Sequence, residues 1–170
     1  MKVHKSGPEH FQHSSLREKV LEHVFVGDLL RSLWLNRVYD VEIARPEVDN
    51  SGADLLVVRG GLVRHVQLKS SFAGARTASQ KIHLALGRKP SGCVIWSLFD
   101  QDSLSIEAFL WFGAKPGKPL PDITRYPTAR HTKANSQGEK LERPNIRVVK
   151  KGDFTPVGTL DEIVERLVGI

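Results

Sequence analysis

A chain of 170 residues, 40% of them hydrophobic, suits one domain with a real core, 1–170, and excludes a disordered or multidomain class. Its 25 Lys and Arg against 19 Asp and Glu leave a net charge of +6, which points to a polyanionic partner. The single cysteine, Cys93, excludes an internal disulfide, and the absence of an apolar leader or a long apolar run points to a soluble, cytoplasmic protein with no membrane association.

In chain order, residues Leu16 to Leu35 carry apolar positions at helical spacing with one Gly and no Pro, and Ser14-Ser15 can cap the start. At about 100° per residue, Val26, Leu29 and Leu33 fall within about 40° of Glu22. Glu22 therefore sits on the apolar stripe, where a carboxylate is out of place unless something uses it. Glu18, one turn earlier, is the alternate, and pairing of Glu22 with Lys19 or Arg17 is the plainer explanation. Val38 to Ala44 reads as the first strand. Glu47 and Asp49 then lie in a loop, with Asp49 kept as a second metal ligand.

Two runs rich in Leu and Val, Asp54 to Arg59 and Leu62 to Lys69, flank Gly60-Gly61 and read as a tight hairpin. With Gly60-Gly61 as the loop, Arg59 pairs with Leu62 and partner numbers sum to 121. Asp54 then faces Gln67, with side chains roughly 5 Å apart on one face. Lys69 points the same way, two residues on, opposite Gly52, which has no side chain to crowd it. A carboxylate, a carboxamide and an ammonium converge, and that is a constellation for cleaving phosphodiesters.

Beyond the hairpin, Ser70 to Arg76 reads as a loop and Thr77 to Leu86 as a helix ended by Gly87. Cys93 to Phe99 is an apolar strand that buries its thiol, and Ile106 to Phe112 is its neighbour. Pro116 to Gln137 is an irregular surface excursion. Ile146 to Val149 reads as a short edge strand, and Leu160 to Leu167 as a closing amphipathic helix capped by Thr159. Trp34, Trp96 and Trp111 sit in apolar runs and are assigned to the core. His65 shares the face of Gln67, although a structural role fits it better. The seven histidines show no zinc-type spacing.

Asp54 followed by Gln67-x-Lys69 resembles the PD-(D/E)XK nuclease superfamily, in its variant with Gln in the acidic slot. The proline that usually precedes the aspartate is replaced by Gly52-Ala53. The resemblance covers roughly residues 16 to 99. It implies an α/β, restriction-endonuclease-like core of helix, three antiparallel strands, helix and strand, with a mixed central sheet. Residues 16–112 would form that core and 113–170 a basic C-terminal extension packed on it.

The resemblance also implies roles. Asp54 would supply the anionic ligand to Mg²⁺ or Mn²⁺, Gln67 an amide oxygen, and Leu68 its backbone carbonyl. Lys69 would orient water or stabilise the transition state, and a helix glutamate, Glu22, would complete the site. The implied activity is metal-dependent hydrolysis of DNA as an endonuclease. The alternatives are a nucleic-acid-binding module of the same fold without cleavage, or a structural subunit of a defence or repair complex.

From Trp111 to Lys151 there are ten basic residues against three acids. Arg130, Lys133, Lys140, Arg143, Arg147 and Lys150 are the candidate phosphate-tracking residues for DNA in that segment. A homodimer is admissible, but no interface is readable.

Overall fold

The computed structural model describes residues 7–48 and 50–170. Asp49 lies outside the described residues, so its expected ligand role has no structural counterpart. A one-turn helix α1 (Glu9–Gln12) runs through His13 into the long helix α2 (Ser14–Leu35). Ser14 is already helical, His13 takes the N-cap position without a side-chain cap bond, and the serine cap is not formed.

A six-stranded mixed sheet has the order β1-β2-β3-β5-β6-β9. Its strands are β1 (Val41–Ala44), β2 (Leu55–Arg59), β3 (Leu62–Phe72), β5 (Gly92–Phe99), β6 (Ile106–Gly113) and β9 (Thr155–Val157). All neighbours are antiparallel except β3 and β5, which run parallel. A second sheet, β4-β8-β7, is built from β4 (Ser79–His83), β8 (Glu142–Lys150) and β7 (Thr128–Arg130). Helices α2 and α3 (Leu160–Val168) cover one face of the large sheet, where Phe25, Leu29, Val66, Ile95, Ile163 and Leu167 are buried together. The small sheet covers the other face, where Ile82, Val94, Trp96, Val149 and Phe154 meet. The protein is thus a mixed α/β fold of three layers.

The hairpin register holds from Leu55↔Val66 to Arg59↔Leu62, with every pair summing to 121. Gly60 takes φ +56°, the left-handed turn conformation glycine allows. The first strand begins at Val41 and not Val38, because Arg37 turns at φ +57° and the Val38 N–H still donates to Leu33 O. Trp96 and Trp111 are buried, but Trp34 is 69% exposed and packs edge-on against Tyr39.

Two expectations fail between β3 and β5. β3 continues through Ser70 and Ser71 to Phe72, since these residues pair with β5 and the Ser71 hydroxyl accepts from Trp96 Nε1 at 2.8 Å. The helix expected at Thr77 to Leu86 is absent; β4 and a short 3₁₀ turn (Leu84–Arg88) stand there. Ile82 of β4 is buried in the second core and pairs with Arg147 of β8, and His83 Nδ1 accepts from the Ala85 N–H to start the tight turn. The second helix of the restriction-endonuclease-like core is therefore missing, while the mixed central sheet is present.

The C-terminal region also departs from its outline. Residues 113–170, expected as an extension packed on a finished core, supply β9, α3 and two strands of the second sheet. β8 is nine residues long and central, not a short edge. Its partner β7 jumps from Arg143 to Arg147, so Pro144, which has no N–H to donate, sits in a bulge. Thr159 caps α3, accepting from the Glu162 N–H, and Gly169 closes it at φ +72°.

Arg64 on β3 is fully buried, and among the described residues it has no acidic partner. Its guanidinium donates to Ser91 Oγ and to the carbonyls of Ala114, Lys115 and Arg166, and it stacks over Trp111 at 5.1 Å. One side chain thereby ties the ends of β5, β6 and α3 together. Beside it Cys93 is free and buried, its thiol pushed up to about 12 by burial against the opposing pull of Arg64. Replacing Arg64 with Ala would take the donor from three part-buried carbonyls and open a cavity. Urea denaturation of Arg64→Ala should show a loss of roughly 3 kcal/mol or more, and a loss below about 1 kcal/mol would remove Arg64 from this bracing role.

Candidate active site

The site forms where β2 parts from β3. The last ladder pair is Leu55↔Val66, and one residue earlier the Asp54 N–H donates to Val66 O at 2.8 Å. That bond is one residue out of step with the 121 register, so Asp54 swings off the ladder and does not face Gln67 squarely. Its Oδ2 instead accepts the Leu68 N–H at 2.7 Å, replacing the backbone acceptor a continuing strand would supply. In a strand the N–H and C=O of one residue point to the same edge. The Leu68 carbonyl is therefore directed toward Asp54.

β3 continues past this point with β5 on its other edge, which opens a cleft of about 360 Å³ between α2, β3 and β4. Asp54, Gln67, Leu68, Lys69 and Glu22 all line it, as does the alternate Glu18. Gln80, Ser70 and Ser97 complete the wall. The predicted catalytic residues are thus brought together. His65 is not among the lining residues, and its ring is held below its ordinary pKa by burial and by Lys89.

Gln67 is 7% exposed, and its buried Oε1 has no hydrogen-bond partner among the described residues. An orphaned amide oxygen normally costs about 1–3 kcal/mol, so its retention in a polar cleft calls for a ligand. The opposite side of the amide is fixed by Gly52, which takes φ +73°. A Cβ on Gly52 would lie 2.8 Å from Gln67 Nε2 and 2.7 Å from the His83 Cβ. Gly52 was expected opposite Lys69; it serves Gln67 instead.

Glu22 is on the flank of the buried face of α2, whose centre is Leu21, Phe25 and Leu29. Its carboxylate, 19% exposed, pairs with Lys19 at 2.9 Å and with Arg45 at 3.3 Å. Arg17, the other expected partner, turns away to donate to His10 O and to cover Phe72 and Phe99. Arg45 and Gln80 escaped sequence reasoning, the first in an unpatterned loop and the second in the segment taken for a helix. Ser97 left a signal: it is the polar residue inside the apolar run Cys93 to Phe99 and is 5% exposed.

The donor set is one of oxygen: the Asp54 carboxylate, the Gln67 amide oxygen and the Leu68 carbonyl, with Glu22 and Glu18 behind. Such a set suits a hard divalent cation. Among the described residues no three His, Cys, Asp or Glu side chains converge as a metal cluster, so a cation here would rely on the amide and the backbone.

The basic candidates lie on the second sheet, whose β4 carries Gln80 into the cleft. The β7–β8 hairpin, Thr128 to Lys150, holds six cations against two acids. Arg130, Lys133, Lys140, Arg143 and Lys150 are exposed. Arg147 is half-buried, and its guanidinium donates to Pro144 O at 2.7 Å and Ile146 O at 3.3 Å, bracing the bulge. It is committed to the protein's own backbone.

No family model matches this chain, and no curated protein matches it. The solved structure of a bacterial homing endonuclease, I-Ssp6803I, aligns over 74% of this chain and 85% of its own at 18% identity, with a TM-score of 0.35. An overlap that loose assigns neither fold nor activity. What the fold and the site define is a mixed-sheet α/β protein with an oxygen-lined cleft at a strand divergence. No helix among the described residues is long and apolar enough to cross a membrane.

Gly52→Ala tests the cleft's construction. The Cβ would displace the Gln67 amide and strain a left-handed backbone, so thermal stability should fall by roughly 1–3 kcal/mol. Amide resonances of Gln67, His83 and Leu68 should shift in a ¹H–¹⁵N spectrum. A spectrum changed only at residue 52 would remove Gly52 from the support of Gln67.

Proposed function

We propose that the protein is a metal-dependent DNA endonuclease, cytoplasmic, with the cleft at Asp54, Gln67 and Lys69 as its phosphodiester-hydrolysing site. The observation that carries this reading is the unpartnered, buried Oε1 of Gln67 lining one cleft with the Asp54 carboxylate and Lys69. The resemblance of Asp54…Gln67-x-Lys69 to the PD-(D/E)XK pattern supports it, although the second core helix of that family has no counterpart here.

Asp54, Gln67 Oε1 and the Leu68 carbonyl would hold Mg²⁺ or Mn²⁺, with Glu22 or Glu18 completing the set directly or through water. When bound, the cation supplies charge neutralisation at the phosphoryl oxygens and a lower pKa for water. Asp54 keeps the Leu68 carbonyl aimed into the cleft through its bond to the Leu68 N–H. Lys69, two residues from Gln67 on the same side of the strand, offers its ammonium to the charge that develops on the phosphate. Arg45 and Lys19 hold Glu22 in place and compensate its charge. The exposed cations of the β7–β8 hairpin give the DNA backbone a track leading to the wall at Gln80.

Lys69→Ala should abolish Mg²⁺-dependent nicking of plasmid DNA by 10²-fold or more, on the order expected for loss of one electrostatic group, while binding of DNA persists. Gln67→Glu adds a carboxylate beside Asp54, so Mg²⁺ affinity by calorimetry should rise. Equal or weaker metal binding in Gln67→Glu would remove Gln67 from the ligand set, and binding without cleavage in the wild type would favour the non-cleaving module.

The basic hairpin has a separate readout. Replacing Lys133, Lys140 and Arg143 together should weaken DNA binding across all sequences and reduce the slope of log affinity against log salt by about 2–3. An unchanged slope assigns that surface to something else.

A further inference from the structure

Helix α2 has two apolar poles. Phe25 is at the centre of its buried face, between Leu21 and Leu29. At about 100° per residue, the opposite pole carries Leu16, Val20, His23, Gly27, Leu30 and Trp34, all within about 40° of one line. Their spacing alternates 4, 3, 4, 3, 4, the repeat of a helix-packing seam. Leu16 is 64% exposed, Leu30 49% and Trp34 69%, and Tyr39 is stacked edge-on against Trp34. Among the described residues nothing lies within 4 Å of where a Cβ on Gly27 would stand. A mid-helix glycine costs roughly 0.5–1 kcal/mol, and nothing in the monomer accounts for it.

We infer that this seam docks a second copy of the chain, helix against antiparallel helix. The seam is its own complement. About a twofold axis at residue 25, Leu16 meets the partner's Trp34, Val20 the partner's Leu30, and His23 the partner's Gly27. The smallest residue faces the bulkiest polar one, which lets the helices approach. Charges do not oppose the pairing. Lys19 and Arg31 lie on opposite flanks of the seam, and each is already paired within its helix, to Glu22 at 2.9 Å and Asp28 at 3.0 Å. The seam is about 27 Å long and about 10 Å wide, so with the Trp34–Tyr39 corner it buries on the order of 400–600 Å² per copy. That is the low end for a specific pair, in the range of weak, reversible assemblies. The cleft lies on the other side of α2 and stays open in both copies.

Sedimentation equilibrium of the full chain from about 5 to 500 µM should show a reversible dimer. The Leu30→Glu/Trp34→Glu variant should be monomeric with an unchanged circular dichroism spectrum, whereas Gln67→Glu should dimerise as the wild type does, keeping this outcome separate from that of the cleft. A short bis-maleimide should join Leu16→Cys protein to Trp34→Cys protein in a mixture. It should join neither to itself, because like positions are about 27 Å apart along the antiparallel pair. Cys93 is buried and silent. A wild type that stays monomeric, a double variant that still dimerises, or cross-linking within either single variant overturns the proposal, the first giving the seam to a different partner.

Discussion

When β2 leaves β3, the Leu68 N–H loses its place in the ladder, and the Asp54 carboxylate takes over as its acceptor at 2.7 Å. The arrangement of the cleft follows from that exchange. A strand continuing alongside β3 would cover the edge at Leu68 and Lys69 and close the space in front of α2. Because a side chain replaces the strand, β3 keeps its direction, its pairing with β5 is undisturbed, and one edge faces the cleft. The same carboxylate that terminates the ladder lines the opening. Structure and chemistry share one group.

The scaffold around this point is held by polar groups as much as by the apolar core. Arg64 is on β3 three residues before Gln67, on the opposite face, and gathers the ends of β6 and α3 through their carbonyls and that of β5 through Ser91 Oγ. Gly52 lies against the amide of Gln67 from the loop, close enough that a Cβ there would sit 2.8 Å from Nε2. The amide of Gln67 is therefore closely packed on the side of Gly52. A side chain so constrained loses little entropy when it meets a ligand.

The hairpin was legible because its signals agree. A Gly-Gly turn, β-branched runs on both sides and a period of two fix the register, and the register brings Asp54 near Gln67 and Lys69 without any tertiary information. The long helix and the two apolar strands were equally plain. What sequence could not supply was the break of step at Asp54, since nothing local announces where a strand departs. β4 was read as a helix because Thr77 to Leu86 is polar enough for either, and its pairing with β8 is decided about 65 residues away. Glu22 was placed at the centre of the apolar stripe because periodicity counts Val26 and Leu33 without knowing that Leu21 and Phe25 face the sheet. Trp34 followed the same error: an apolar run does not say which pole of a helix is covered.

The pairing of β4 with β8 also orders events in time. Ser79 pairs with Lys150 and His83 with Ile146, so the wall carrying Gln80 has no strand partner until β8 has been made. The contacts of β1, β2 and β3 are local and can form early, while closing a loop of this length is entropically slow. A nascent chain would thus hold Asp54, Gln67 and Lys69 on a formed hairpin, open on one side, well before the cleft acquires its second wall. The site matures from the strand edge outward, and its enclosure waits for β8.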